Sequence, residues 1–200
     1  MLNILKIFSS APWSAKFGMV VILFYAVISI FAPFIAPYGE TELLGRAYEV
    51  WSDKFLLGTD NLGRDMLSRL IYGARNTIGL ALTITLIAFV LGSLTGMIAA
   101  ALGGWVDQVL SRIVDVLMSI PSLIFALLIL SIFGTAMPYL IATIAILDAT
   151  RVFRLARATA MNVAVMDYVE VARLRGEKQG WVIRKEILPN ITAPLLAEFG

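Results

Sequence analysis

The polar and apolar positions of this chain are sorted into long blocks. Between Lys16 and Glu40 stand 23 uncharged residues, between Arg75 and Asp107 another 31, and between Asp115 and Asp148 another 32. A helix needs about 20 apolar residues to cross a bilayer. The first block predicts one span over 17–36, closed by Pro33 and Pro37. It is longer than the core of a cleaved signal and has no small-residue cleavage pattern. The second block predicts a span over 76–102. The third is too long for one helix, and Gly134 and Pro138 interrupt it, so two spans are expected, over 113–133 and 137–160. A last apolar run, 187–197, is too short to cross and would open an incomplete further span at 191–200. The predicted fold class is an all-α membrane protein with several transmembrane helices.

Composition supports that reading. Apolar residues make up 60%, charged residues 15%, and the mean hydropathy is +0.87. A soluble domain holds about a quarter charged residues, so this chain needs lipid to cover its apolar surface. The 200 residues contain neither Cys nor His. That removes thiolate chemistry, the commonest general base and the commonest metal ligand. No catalytic residue, metal site or cofactor is expected. The net charge of +2 does not point to nucleic acid. No Gly-Lys pair exists, so the chain cannot cradle ATP in a P-loop; energised work would need another subunit.

Lys and Arg set the expected orientation. With the N-terminus inside, the inner side carries Lys6, Lys16, Arg112 and the eight cations from Arg151 to Lys185, while the outer side carries only Arg46, Lys54, Arg64, Arg69 and Arg75. Cytoplasmic loops are the cation-rich ones. Residues 1–16 and 161–190 are therefore expected inside, and 37–75 outside.

Two features within the spans stand out. Gly92, Gly96, Ala100 and Gly104 recur every four residues, a stripe of small side chains where another helix can come close. Asp148 lies about ten residues into the last span, with Arg151 three positions on. Arg112 and Asp115 have the same spacing. Both couples are expected to pair as interfacial ion pairs, since such positions share a helix face.

The inner segment 161–190 reads as two short helices around a bend. Val169, Ala172 and Leu174 alternate with charges; Gly176 suits a left-handed helix end; residues 181–188 form the second pattern, ended by Pro189. Mixed charge fits a protein partner better than anionic lipid.

Glu170-Val171-Ala172, then Gly176, then Ile187-Leu188-Pro189-Asn190 resembles the EAA loop of binding-protein-dependent ABC importer permeases. Leu57-Gly58-Thr59-Asp60, Gly63-Arg64-Asp65, Ser68-Arg69 and Tyr72-Gly73-Ala74-Arg75 are similar to the segment before span two in one branch. So are Gly103-Gly104-Trp105-Val106-Asp107, Arg112, Val114-Asp115 and Pro121-Ser122-Leu123. That branch is the C-type permease subunit of dipeptide, oligopeptide and nickel importers. Val171 stands where the family usually has Ala.

The resemblance implies the type I ABC importer permease fold, with 74–200 as the permease transmembrane domain and 161–190 as its cytoplasmic coupling loop. Family members continue through two more spans, so the chain is expected to be truncated before them. It implies a multi-pass subunit of the bacterial inner membrane, not itself an enzyme. Its partners would be a homologous second permease, ATP-binding-cassette ATPase subunits, a periplasmic or extracellular solute-binding protein and membrane lipid. Glu170, Val171, Ala172, Gly176, Leu188 and Pro189 would couple to the ATPase: a carboxylate for a cation, a small residue for close approach, and a bend. Short peptides are the favoured cargo, with nickel or another small solute as the alternative. A non-transporting membrane scaffold is the rival of a different class.

Overall fold

The computed structural model describes residues 12–199, so most of the expected inner N-terminus (1–16) lies outside the described residues. The chain divides into two units, residues 1–81 and 82–200. Every described element is helical: α1 (Trp13–Ile35), α2 (Met66–Leu102), α3 (Gly104–Ser119), α4 (Ser122–Phe133), α5 (Met137–Ala164), α6 (Asp167–Leu174), α7 (Gln179–Val182), a π-helical turn (Ile183–Ile187) and α8 (Leu188–Phe199).

In the first unit, α1 is long and apolar enough to cross a membrane, and of its side chains only Ala32 is buried. Its apolar residues thus face outward, as a lipid-facing helix requires. It ends where the Ala36 N–H bonds the Ala32 carbonyl at 2.9 Å and Pro37 follows.

The connecting segment is organised by short polar side chains. Asp60 accepts from the N–H groups of Leu62 (2.8 Å) and Arg64 (3.0 Å) and from the guanidinium groups of Arg64 (2.8 Å) and Arg69 (2.6 Å). Thr59 donates to the Arg46 carbonyl at 2.6 Å and accepts from the Glu49 N–H at 2.8 Å. Gly63 has φ +78°, and a Cβ there would stand 2.1 Å from the Gly45 carbonyl oxygen, so only glycine fits. Asp65 caps α2, accepting from the Ser68 N–H at 2.8 Å. The cap explains why α2 starts at Met66, ten residues before the span expected at 76–102. The Gly-Thr-Asp and Gly-Arg-Asp motifs are therefore the fastenings of this turn.

Burial by itself would raise the Asp60 carboxyl. The Arg64 and Leu62 amides and the Arg64 guanidinium outweigh it and hold the carboxyl well below the usual carboxylate range. A lowered native pKa stabilises above the unfolded value, about 3.9, and that stability is lost as pH falls through the native one. Proteolysis of the loop should therefore stay slow down to about pH 4 and accelerate in stronger acid. Asp60→Asn should remove much of this acid dependence and leave the loop more susceptible at neutral pH. Equal cleavage profiles for parent and variant would count against the assignment.

In the second unit, the single unbroken helix expected over 113–133 is not formed. The helix starts at Gly104, and α3 and α4 meet at a bend of 92°. Pro121 is the cause: it disfavours helical backbone in the residue before it, and Ile120 is extended, with φ −93° and ψ 130°. Helix α4 ends at Phe133 and α5 begins at Met137, with Pro138 in its first turn. By length and composition α2 is a membrane-crossing helix, and α3 with α4 qualifies only as a bent pair. Helix α5, where the span 137–160 was expected, is not in that set. Asp148 lies near its middle, and Arg151, Arg154 and Arg157 occupy its second half.

The second short helix also differs from expectation. Pro189 does not end it; the helical path continues to Phe199. The π turn just before it shifts the hydrogen-bond register, with the Leu188 N–H bonding the Ile183 carbonyl. Proline is tolerated at the start of a helix, and the wider π turn relieves its clash with the preceding carbonyl. The core of this unit gathers Met97 and Ala101 of α2, Ala156 and Ala160 of α5, Val169 and Ala172 of α6, Val182, Ile187, and Ile191 and Leu195 of α8.

Candidate coupling surface

Helix α6 is amphipathic in a way that assigns its residues. Val169 and Ala172 are buried against the core. Asp167, Glu170, Val171 and Leu174 follow the i, i+3, i+4, i+7 spacing of one helix face, and all four are exposed. Leu174 is 81% exposed, and Val165 and Met166 just before the helix are exposed as well. Asp167 and Glu170 in the first turn and Arg173 in the last suit the helix dipole.

Gly176 closes the helix with φ +81°. Its N–H bonds the Arg173 carbonyl at 2.9 Å, and the Glu177 N–H bonds the Ala172 carbonyl at 3.2 Å. This pair of bonds is the Schellman arrangement. No atom lies within 4 Å of a Cβ built there, so a bulkier residue would pay a conformational cost of about 1–2 kcal/mol without a clash.

Among the sequence-derived coupling residues, Glu170, Val171, Gly176 and Pro189 are exposed and Leu188 is half-buried. Ala172 is a correction. It faces inward, so its small size serves the seat of α6 on the core and offers no approach to a partner. Val165 and Met166 escaped the sequence reading, and Leu174 was grouped with Val169 and Ala172; the 167-170-171-174 spacing was the signal that could have placed it on the outer face.

Behind this surface, α5 is joined to α2 and α3. A Cβ on Gly92 would lie 2.6 Å from the Ala149 carbonyl oxygen and 2.6 Å from the Val152 Cβ. On Gly96 it would lie 2.7 Å from the Phe153 carbonyl oxygen and 2.8 Å from the Ala156 Cβ. Ala100 packs beside the core, whereas a Cβ on Gly104 meets nothing. Arg157 forks onto both carboxylate oxygens of Asp107, with Nη2 to Oδ2 at 2.6 Å. Arg154 donates to Asp115 at 2.9 Å.

The expected short-range pairs are absent among the described residues. Asp115 is bound by Arg154 on α5, not by Arg112 three positions before it. Asp148 and Arg151 form no ion pair with each other; they line a groove of about 430 Å³ beside the Pro121 bend. Packing of α3 on α5 brings long-range partners closer than the three-residue neighbours. No group of three or more metal-ligating side chains occurs among the described residues.

The family described as "Binding-protein-dependent transport system inner membrane component" matches residues 92–200, the stretch that holds these contacts and the surface they support. The chain belongs to that family. A second family, the N-terminal TM domain of oligopeptide transport permease C, matches residues 13–48. The chain is 36% identical over 191 residues to a dipeptide transport system permease protein of Haemophilus influenzae, covering 92% of this chain and 65% of the relative. It is 32% identical to a dipeptide permease of Alkalihalophilus pseudofirmus, covering 94% and 66%. It is 35% identical to a peptide transport system permease of Escherichia coli O6:H1, covering 96% and 67%. The chain thus spans about two thirds of the length of the curated relatives it matches. This member of the permease family is a multi-pass, all-α membrane protein.

Proposed function

We propose that this permease-family chain carries short peptides across the bacterial inner membrane, as part of an importer driven by a separate ATPase. The observation that carries the proposal is the outward face of α6, where Glu170, Val171 and Leu174 stand exposed on a helix whose other face is seated in the core. A rigidly backed apolar face with an acidic neighbour suits a groove on an ATPase subunit. Peptide cargo is favoured because the relatives are named for dipeptide and peptide transport. A second permease subunit and a solute-binding protein complete the proposed assembly.

The test uses the full-length permease in its assembled complex. Leu174→Asp removes an apolar contact of about 2 kcal/mol, which is more than tenfold in affinity. Glu170→Lys reverses a charge that meets a cation in this reading. Both side chains are exposed, so both variants should insert and fold as the parent does. ATPase co-purification and peptide-stimulated ATP hydrolysis should fall together. Parental co-purification and parental hydrolysis in both variants would refute the coupling role.

The same proposal places the N-terminus inside and the 37–75 segment outside, on the distribution of Lys and Arg. The chain has no native Cys, so Asp53→Cys gives a clean probe. An impermeant maleimide should label it in intact cells. Labelling only in inside-out vesicles would reverse the orientation.

A further inference from the structure

The turn formed by residues 50–57 exposes four large apolar side chains. Val50, Trp51, Leu56 and Leu57 are all exposed, Trp51 by 78%, while Phe55 between them is buried. Several large exposed apolar side chains gathered in one turn mark an interaction surface. What covers them can be read from their level relative to the bilayer.

That level is set by Tyr38. Helix α1 has 23 residues and is therefore about 34 Å long, slightly more than the hydrocarbon thickness of about 30 Å. With α1 set across the bilayer, its end at Ile35 falls at the boundary between chains and headgroups. Tyr38 stands three residues further, within about 10 Å of that end even if the chain is fully extended.

Three contacts then hold the rest of the loop at this level. The Tyr38 N–H donates to Ser68 Oγ in the first turn of α2 at 3.1 Å. The Tyr38 hydroxyl donates to the Lys54 carbonyl at 3.3 Å. The Tyr38 and Phe55 rings lie 6.0 Å apart. The turn is itself closed by Ser52, whose N–H bonds the Phe55 carbonyl at 2.9 Å and whose Oγ accepts from the Phe55 N–H at 3.1 Å. Lys54 keeps its ammonium close by, 4.9 Å from the centre of the Phe55 ring and 3.4 Å from the Leu44 carbonyl. Trp51, Leu56 and Leu57 are thus fixed beside the end of a spanning helix.

We infer that this turn is a membrane-surface anchor: Trp51, Leu56 and Leu57 rest in the headgroup region of the leaflet where α1 ends. An indole is suited to that layer, having an apolar body and one N–H donor. The lysine beside it supplies a cation for lipid phosphates. The patch is tied through Tyr38 to the end of α1, a helix whose side chains are exposed along its length, and its occupant is lipid for that reason. The anchor holds the start of α2 through the Tyr38–Ser68 bond.

The experiment reads the depth of Trp51. These 200 residues hold four tryptophans, so Trp13→Phe, Trp105→Phe and Trp181→Phe, with Phe also at any tryptophan outside them, leave Trp51 as the single emitter of the full-length protein. The protein is placed in vesicles of phosphatidylethanolamine and phosphatidylglycerol, with or without lipid brominated high on its acyl chains. Trp51 should emit to the blue of free tryptophan. It should lose most of its emission to brominated lipid and little to external iodide. Strong iodide quenching without a bromine effect would overturn the proposal in favour of a water-exposed turn. Protection from both quenchers would overturn it in favour of a protein cover, such as a solute-binding protein. Trp51→Cys carrying a nitroxide, in the otherwise unaltered cysteine-free chain, serves where the tryptophan replacements fail to assemble. Oxygen should then relax the label more than a water-soluble nickel chelate, and the reverse order would again overturn the anchor.

Discussion

Gly96→Leu should separate α2 from α5 and give the largest loss of stability among single substitutions in the second unit. A Cβ at this position would sit 2.7 Å from the Phe153 carbonyl oxygen, 2.8 Å from the Ala156 Cβ and 3.0 Å from the Arg157 nitrogen. Two of these atoms are backbone, so no rotamer change relieves them. The helices must move apart, and packing between membrane helices depends on close approach of this kind. Overpacking costs about 1–3 kcal/mol even where a core can adjust, and a leucine against backbone belongs at the upper end. Gly96→Ala should cost less, because only one methyl has to be housed. Gly18→Leu is the control: nothing lies within 4 Å of a Cβ there, so stability should be unchanged. Thermal unfolding of the full-length protein in detergent measures all three. Equal midpoints for Gly96→Leu and Gly18→Leu would show that the close contact carries no energy.

Arg157→Ala should follow closely, by leaving a carboxylate with no cation. Asp107 is 18% exposed and Arg157 31% in their side chains, and both guanidinium contacts go to the one carboxylate. Removing one partner of a fully buried pair costs about 3–5 kcal/mol; partial exposure brings this to about 2 kcal/mol. Adding Asp107→Asn to Arg157→Ala should restore part of the loss, since the penalty is an orphaned charge. Arg154→Ala is the comparison. Its pair with Asp115 is exposed at 54% and 53%, and a pair so open to water contributes less than about 1 kcal/mol. Denaturant titration of the full-length variants should therefore rank Arg157→Ala well below Arg154→Ala. The reverse order, or no rescue by Asp107→Asn, would sink the assignment.

These two sites show where sequence reasoning succeeded and where it stopped. The four-residue recurrence of Gly92 and Gly96 was visible because helical geometry turns a local spacing into a face. The same logic failed for the charges. Arg112 and Asp115 share a face locally, yet Asp115 binds Arg154, 39 positions away. Asp107 and Arg157 are 50 positions apart, and no local rule links them. Ala172 was legible as small but not as inward-facing, because eight residues of α6 fit either orientation until the core is in place.

Local chemistry carried in the sequence determined the membrane class, the lipid-facing character of α1 and the left-handed helix end at Gly176. Each depends on a property of neighbouring residues: an uninterrupted run of uncharged side chains, or a backbone angle that glycine alone takes without strain. Tertiary structure decided the rest. It set the angle of 92° at the break that Pro121 makes between α3 and α4, because a proline interrupts a helix without fixing how far the two parts turn. It carried the helix through Pro189, because a π turn upstream made room for the ring. It also chose the ion-pair partners and the exposed face of α6. Those depend on which helix lies beside which, and that follows from the sum of many contacts far apart in the chain.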